Sequence, residues 1–205
     1  MKSSEIDILI ELLTNLPGIG PRSARRLILH LIKNKSNLMS PLGKIITIVS
    51  EKIKVCKICG NYCIEDKCDI CISDKRDKTL LCIVEEVSDL WAIERGNLFN
   101  GVYFVLGGTL NAIKGITPEK LNIEKLFKKL KENQVKEVIL ATSITSSGQT
   151  TAHYLLSKIK KLNIKVSRLA RGVPAGGELD YLDEATLGQA LSERTLVFDR
   201  VLNYE

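Results

Sequence analysis

Cys56-Lys57-Ile58-Cys59-Gly60-Asn61-Tyr62-Cys63-Ile64-Glu65-Asp66-Lys67-Cys68-Asp69-Ile70-Cys71 is the stretch that divides this chain. Two C-x-x-C turns separated by eight residues place four thiolates where they close a tetrahedron around one zinc ion. Gly60 and Asn61, just past the first turn, supply the tolerance of positive φ that such turns use. The loop between the pairs is shorter than the roughly 15–20 residues of many zinc ribbons, which predicts a compact knuckle. Two disulfides or a redox C-x-x-C are the competing readings. The opening residues show no secretory leader pattern, and a thioredoxin-like motif needs one pair at a strand-to-helix turn. The expected ligands are therefore Cys56, Cys59, Cys68 and Cys71, holding one Zn²⁺ per chain. Four protein ligands leave no open coordination position, so the ion stabilises the fold and performs no chemistry. Cys63, inside the loop, is expected as a free thiol. Cys82 lies in the apolar run Leu80-Leu81-Cys82-Ile83-Val84 and reads as a small hydrophobe in a buried strand.

Upstream of the knuckle the chain is basic. Residues 1–54 carry nine Lys and Arg against four Asp and Glu, whereas residues 175–205 carry a net −5. Ile6, Leu9, Ile10, Leu12 and Leu13 give a helical apolar face, with Ser3 or Ser4 as its N-cap. Asn15-Leu16-Pro17-Gly18-Ile19-Gly20-Pro21 breaks that helix, and Pro21 opens a second one with Ala24, Leu27, Ile28 and Leu31 on one face. Helix, Pro-Gly-Ile-Gly turn, helix is a helix-hairpin-helix pattern. Its glycines let backbone approach a phosphate, and the next helix N-terminus offers N–H groups to the anion. Arg22, Arg25 and Arg26 project from the first turns of that helix and are the candidate DNA-binding residues. An ordinary helical hairpin used for packing or dimerisation is the alternative. A third helix, over residues 36–54 and opened by Ser40-Pro41, leads to the knuckle.

Downstream, short apolar strands alternate with helices. Strands are expected at Leu80–Val84, Val102–Leu106, Val138–Ala141 and Lys165–Leu169. Helices are expected at Ser88–Arg95, Ile123–Asn133 and Thr150–Leu162, with Ser73–Lys78 as a charged linker. The pattern predicts an α/β fold with a mostly parallel sheet covered by helices on both faces. A last helix, Glu184–Ser192 with Asp183 as its cap, precedes a strand-like Leu196-Val197-Phe198. The expected organisation is a helix-hairpin-helix region over 1–54, the knuckle over 55–75, the sheet domain over 78–174 and a C-terminal interface segment over 175–205. At 205 residues, with no run of 18 apolar residues, the chain is expected to be soluble and cytoplasmic.

The order of these parts carries a resemblance. Leu16-Pro17-Gly18-Ile19-Gly20-Pro21-Arg22-Ser23-Ala24-Arg25-Arg26, the cysteines of Cys56–Cys71, Val84-Glu85-Glu86-Val87-Ser88-Asp89, Leu106-Gly107-Gly108 and the segment from Arg168 to Tyr181 together resemble the RecR family of bacterial recombination mediators. Val84–Asp89 is similar to the Toprim signature, a Glu closing the first strand and an Asp four residues on. The resemblance implies a noncatalytic DNA-repair protein. It would work with RecO and RecF to load recombinase onto single-stranded DNA, as a homodimer or ring-like homotetramer, with DNA contacts falling on Arg22 and Arg26.

One stretch departs from the family pattern. Where members usually read Asn-Pro-Thr-x-Glu-Gly-Glu, this chain reads Ser143-Ile144-Thr145-Ser146-Ser147-Gly148-Gln149. Glu85 and Asp89 are thus a remnant of the Toprim acidic cluster. Two carboxylates alone hold Mg²⁺ weakly, and Ser147 and Gln149 add no charge. A Toprim-type metal-dependent nucleic-acid enzyme is the alternative function, and a zinc protein acting only through protein partners is a third. Arg171-Gly172-Val173-Pro174-Ala175-Gly176-Gly177 lacks the Lys-Ser/Thr of a P-loop and reads as an interface loop, or as a DNA contact through Arg168 and Arg171. His30 and His153 fall on helices and read as packing or surface residues.

Overall fold

The computed structural model describes residues 4–132 and 134–194. The described residues form two compact units, the first drawn from residues 4–57 and 62–68 and the second from 58–61 and the described residues after 68.

The first unit begins with α1 (Glu5–Thr14). Of the two candidate caps it is Ser4 that serves: its hydroxyl accepts the Asp7 N–H at 3.2 Å and the Asp7 carboxylate accepts the Ser4 N–H at 3.1 Å. After the turn at Leu16–Gly20, α2 runs over Pro21–Lys33 with Gly20 as N-cap. Ala24 and Ile28 are buried, whereas Leu27 is 43% exposed. At about 100° per residue Leu27 sits roughly 80° off the Ala24–Ile28 line, so the expected four-residue face narrows to those two plus half-buried Leu31. A π-helical turn, Lys35–Met39, runs directly into α3 (Ser40–Lys52). Pro41 has no N–H to donate, and the ladder widens just ahead of it: the Met39 N–H reaches back to the Asn34 carbonyl at 3.2 Å. Two short antiparallel strands, β1 (Lys54–Val55) and β2 (Tyr62–Cys63), pair Val55 with Tyr62.

In the second unit one turn of helix, α4 (Asp69–Ile72), leads to β3 (Asp77–Val84), α5 (Val87–Arg95) and β4 (Gly101–Val105). There follow α6 (Ile123–Glu132), β5 (Glu137–Ala141), α7 (Ser146–Ile159), β6 (Lys165–Arg168) and α8 (Glu184–Ser192), the last capped by Asp183 as expected. The four long strands are parallel in the order β4-β3-β5-β6. Alternate residues feed two cores. Leu81, Ile83, Val102, Phe104, Val138 and Leu140 pack with α6 and α7, while Cys82, Val84, Tyr103, Val105 and Ala141 pack with Val87 and Leu90 of α5.

This split follows from connection handedness. The chain steps one way from β3 to β4 and the other way from β4 to β5 and β6. Right-handed crossovers therefore put α5 on one face and α6 and α7 on the other. The direction reverses between β3 and β5, and in such sheets sites gather beyond the strand ends at that reversal.

Two sequence expectations shift. The linker expected over Ser73–Lys78 ends early, because β3 begins at Asp77. The helix expected from Thr150 starts at Ser146, because the Thr145 hydroxyl caps it by accepting the Gly148 N–H at 3.1 Å. Gly148 lies in its first turn. The strand expected at Leu196–Phe198 lies outside the described residues.

Candidate functional site

The cysteine knuckle is built by local hydrogen bonds. The Lys57 N–H donates to the Asp66 carbonyl at 3.0 Å, and Lys57 Nζ reaches the Asp66 carboxylate at 2.6 Å. That lysine holds the Asp66 carboxyl below the usual carboxylate range. The Cys68 N–H points at Cys56 Sγ at 3.3 Å. On the other turn, the Cys59 carbonyl accepts the Val105 N–H at 2.7 Å. Gly60 has φ +83°, and a Cβ there would stand 3.2 Å from both the Cβ and the carbonyl oxygen of Val105. Asn61, read from sequence as a second positive-φ residue, is not one. It is buried instead, with its N–H toward Cys59 Sγ at 3.5 Å and its Oδ1 accepting the Trp91 indole N–H at 3.0 Å.

The sulfurs of Cys56, Cys59, Cys68 and Cys71 all lie within 4.8 Å of one another. Bonds of about 2.3 Å to a tetrahedral ion imply sulfur–sulfur edges of about 3.8 Å, so the four fit around one metal ion. Among the described residues this is the one cluster of three or more His, Cys, Asp and Glu able to share an ion. Cys63 stands outside it, its thiol donating to the Glu65 carbonyl at 2.8 Å. Cys82 is 2% exposed on β3, and burial pushes its thiol up to about 12.

The hairpin between α1 and α2 is open to solvent. Gly18 adopts φ +78°, the left-handed backbone its turn requires, and a Cβ at Gly18 or Gly20 would meet nothing within 4 Å. No side chain caps α2. Arg22, Arg25 and Arg26 are all exposed in its first two turns, and none belongs to an ion pair among the described residues. The surface beside Arg26 continues through His30 and Lys33.

At the carboxyl ends of β3 and β5, Glu85 and Asp89 are already engaged. Glu85 Oε1 accepts the Ser143 N–H at 2.7 Å, and the Glu85 carbonyl accepts the N–H groups of both Gly107 and Gly108. Those two glycines have φ +83° and +136°, the backbone that lets the chain after β4 wrap around that carbonyl. Asp89 closes a capping box on α5, its carboxylate accepting the Glu86 N–H at 2.9 Å. Ser143, Thr145 and Ser147 form a chain of hydroxyls, and the Gln149 amide donates to the Ile144 carbonyl. Arg168 ends β6 on an exposed position and Arg171 is half-buried; His30 and His153 lie on exposed positions of α2 and α7.

Two constellations escape the sequence reading. Besides the Asn61–Trp91 pair, Arg76 of the supposed linker forks onto Glu94, Nη1 to Oε1 at 2.8 Å, and Tyr103 donates its hydroxyl to the same carboxylate at 2.7 Å. The Glu94 hydrogen bond raises the Arg76 pKa, and burial followed by that carboxylate raises Tyr103. The signal was Glu94 itself: it shares the inward stripe of Val87 and Leu90, where an acid needs a buried partner.

Residues 6–49 match the RecR helix-hairpin-helix model, residues 79–170 the Toprim domain, and residues 172–195 the RecR C-terminal model. Proteins named Recombination protein RecR are similar along nearly the whole chain. That of Parvibaculum lavamentivorans is 53% identical over 93% of this chain and 96% of its own length. Those of Brucella anthropi and Rhizobium leguminosarum are 52% and 50% identical, over 93% and 94% of this chain and 95% and 96% of theirs. No helix among the described residues is long and apolar enough to cross a membrane. At half the residues identical over nine-tenths of both partners, the chain belongs to the RecR family of recombination proteins.

Proposed function

We propose that this chain is a noncatalytic, cytoplasmic mediator of recombinational DNA repair that acts with RecO and RecF to help load recombinase onto single-stranded DNA. The observation that carries the reading is the uncapped N-terminus of α2. It is solvent-open beside Gly18 and Gly20 and bears three exposed arginines that form no ion pair among the described residues. Backbone N–H groups and guanidinium groups there suit phosphate oxygens and carry no base readout. Arg22, Arg25 and Arg26 bind DNA in this account.

Cys56, Cys59, Cys68 and Cys71 hold one structural Zn²⁺. Thiolates suit zinc, and the ion when bound supplies folding energy. The four-part organisation with boundaries near residues 54, 75 and 174 completes the proposal.

Self-assembly into a dimer or a ring-like tetramer is supported by the first unit's surface. Ile6, Leu12, Leu29, Ile45 and Ile46, spread over α1, α2 and α3, are each at least half exposed, an apolar display of the kind found at interaction surfaces. A ring of several copies surrounds a duplex about 20 Å across, which one chain of this size does not, and closed symmetry supplies the arrangement.

The alternative, a metal-dependent Toprim enzyme, requires a full acidic cluster, and the neutral Ser147 and Gln149 that accompany Glu85 and Asp89 speak for the noncatalytic reading. The test is recombinase filament formation on single-stranded DNA covered by its binding protein. Acceleration that requires this chain together with RecO and RecF, without DNA strand breaks in Mg²⁺, supports the proposal; Mg²⁺-dependent nicking overturns it.

A further inference from the structure

We propose that Asn61, latched by Trp91, is the positioning residue of the four-cysteine site, fixing the turn that presents Cys59 to the metal. The inference rests on the metal reading above. Asn61 is one of two buried polar residues among the described residues, 6% exposed. A buried amide must be paired, and its Oδ1 takes the indole N–H of Trp91 at 3.0 Å. Trp91 itself is 56% exposed, so its ring gains little by burial; what it brings to Asn61 is a directed donor.

The Asn61 main chain faces the metal side. Its N–H points to Cys59 Sγ at 3.5 Å, where it stabilises negative charge on a ligating thiolate. One residue back, Gly60 packs its bare α-carbon against Val105, and the Cys59 carbonyl takes the Val105 N–H at 2.7 Å. The Cys59 turn is thus held at three points: by β4 through Val105, by α5 through Trp91, and by the Asn61 N–H on the sulfur itself. Such outer contacts orient a ligand and typically change metal affinity by about 10–100-fold.

Trp91 is the single tryptophan of the chain, so the latch also makes its emission a reporter of the site. The experiment uses the full chain loaded with zinc, and measures zinc affinity by chelator competition in wild type, Asn61→Ala, Trp91→Phe and the double variant. Trp91→Phe keeps a ring on an exposed position and removes the donor, so it preserves the fold where Asn61→Ala threatens it. Each single change is expected to weaken zinc binding about 10-fold or more. The double change should be no worse than the stronger single one, because both act through one hydrogen bond. Removing zinc should shift tryptophan emission in wild type and leave it unmoved in Asn61→Ala. Wild-type zinc affinity in Trp91→Phe, or strictly multiplicative losses in the double variant, overturns the positioning role while leaving the metal site intact. A wild-type chain that binds no zinc overturns both.

Discussion

Glu85 Oε1 accepts the backbone N–H of Ser143 at 2.7 Å, tying the end of β3 to the end of β5 where the sheet reverses direction. The carboxylate that opens the Toprim signature is here a strand-end brace. Gly148, in the first turn of α7, gives it room: a Cβ at that position would lie 2.7 Å from Glu85 Oε1 and clash with the Ser143 carbonyl and hydroxyl.

Gly148→Ala should therefore destabilise the fold by about 1–3 kcal/mol, since the obstructing atoms include backbone. Gly188→Ala in α8, where a Cβ meets nothing, should be neutral or stabilise by up to about 1 kcal/mol. Urea unfolding of the two variants checks the contrast. Equal midpoints would show that the brace yields without cost.

Arg76→Ala should cost about 2–4 kcal/mol. The pair it forms with Glu94 is largely buried, with side-chain exposures of 16% and 20%, and its loss removes both guanidinium hydrogen bonds from that carboxylate. Arg76→Lys should recover only part of this, because an ammonium cannot fork onto two carboxylate oxygens. Denaturant midpoints of the two variants measure both effects.

Cys82 makes stability fall at high pH. Its thiol is raised by burial from 9.0 to about 12 in the folded chain, so the folded state keeps its proton after the unfolded state has lost it. The contribution is complete below about pH 9 and drains away as pH climbs toward 12, by at most about 1.4 kcal/mol per pH unit. Thermal melts of wild type and Cys82→Ala between pH 8.5 and 10.5 should show a shallower decline in the variant. Parallel declines would mean that Cys82 ionises without penalty.

The sheet was legible because its strands alternate between two apolar cores, so each of Leu80–Val84 and Val138–Ala141 reads as an unbroken hydrophobic run. The cysteine pairs were legible because ligand spacing is local. What escaped was nonlocal. Arg76 finds Glu94 eighteen residues on, and Asn61 finds Trp91 thirty residues on; neither separation leaves a periodic trace. The start of α7 was misplaced because the glycine in its first turn answers to the crowding by Ser143 and Glu85, a contact with a distant strand that leaves no local signal. Leu27 was assigned inward because four apolar residues on a helix suggest one broad face, and the first unit buries only a narrow stripe.

The account stands or falls on the hairpin as a phosphate-binding element, and the salt dependence of DNA binding by the full chain tests it most directly. Arg22→Ala with Arg26→Ala, both at exposed positions that leave the fold intact, should weaken binding to unrelated DNA sequences by similar factors. Each lost phosphate contact should lower the log–log salt slope by about one unit. Unchanged affinity and slope in the double variant, or a loss confined to one sequence, would contradict it.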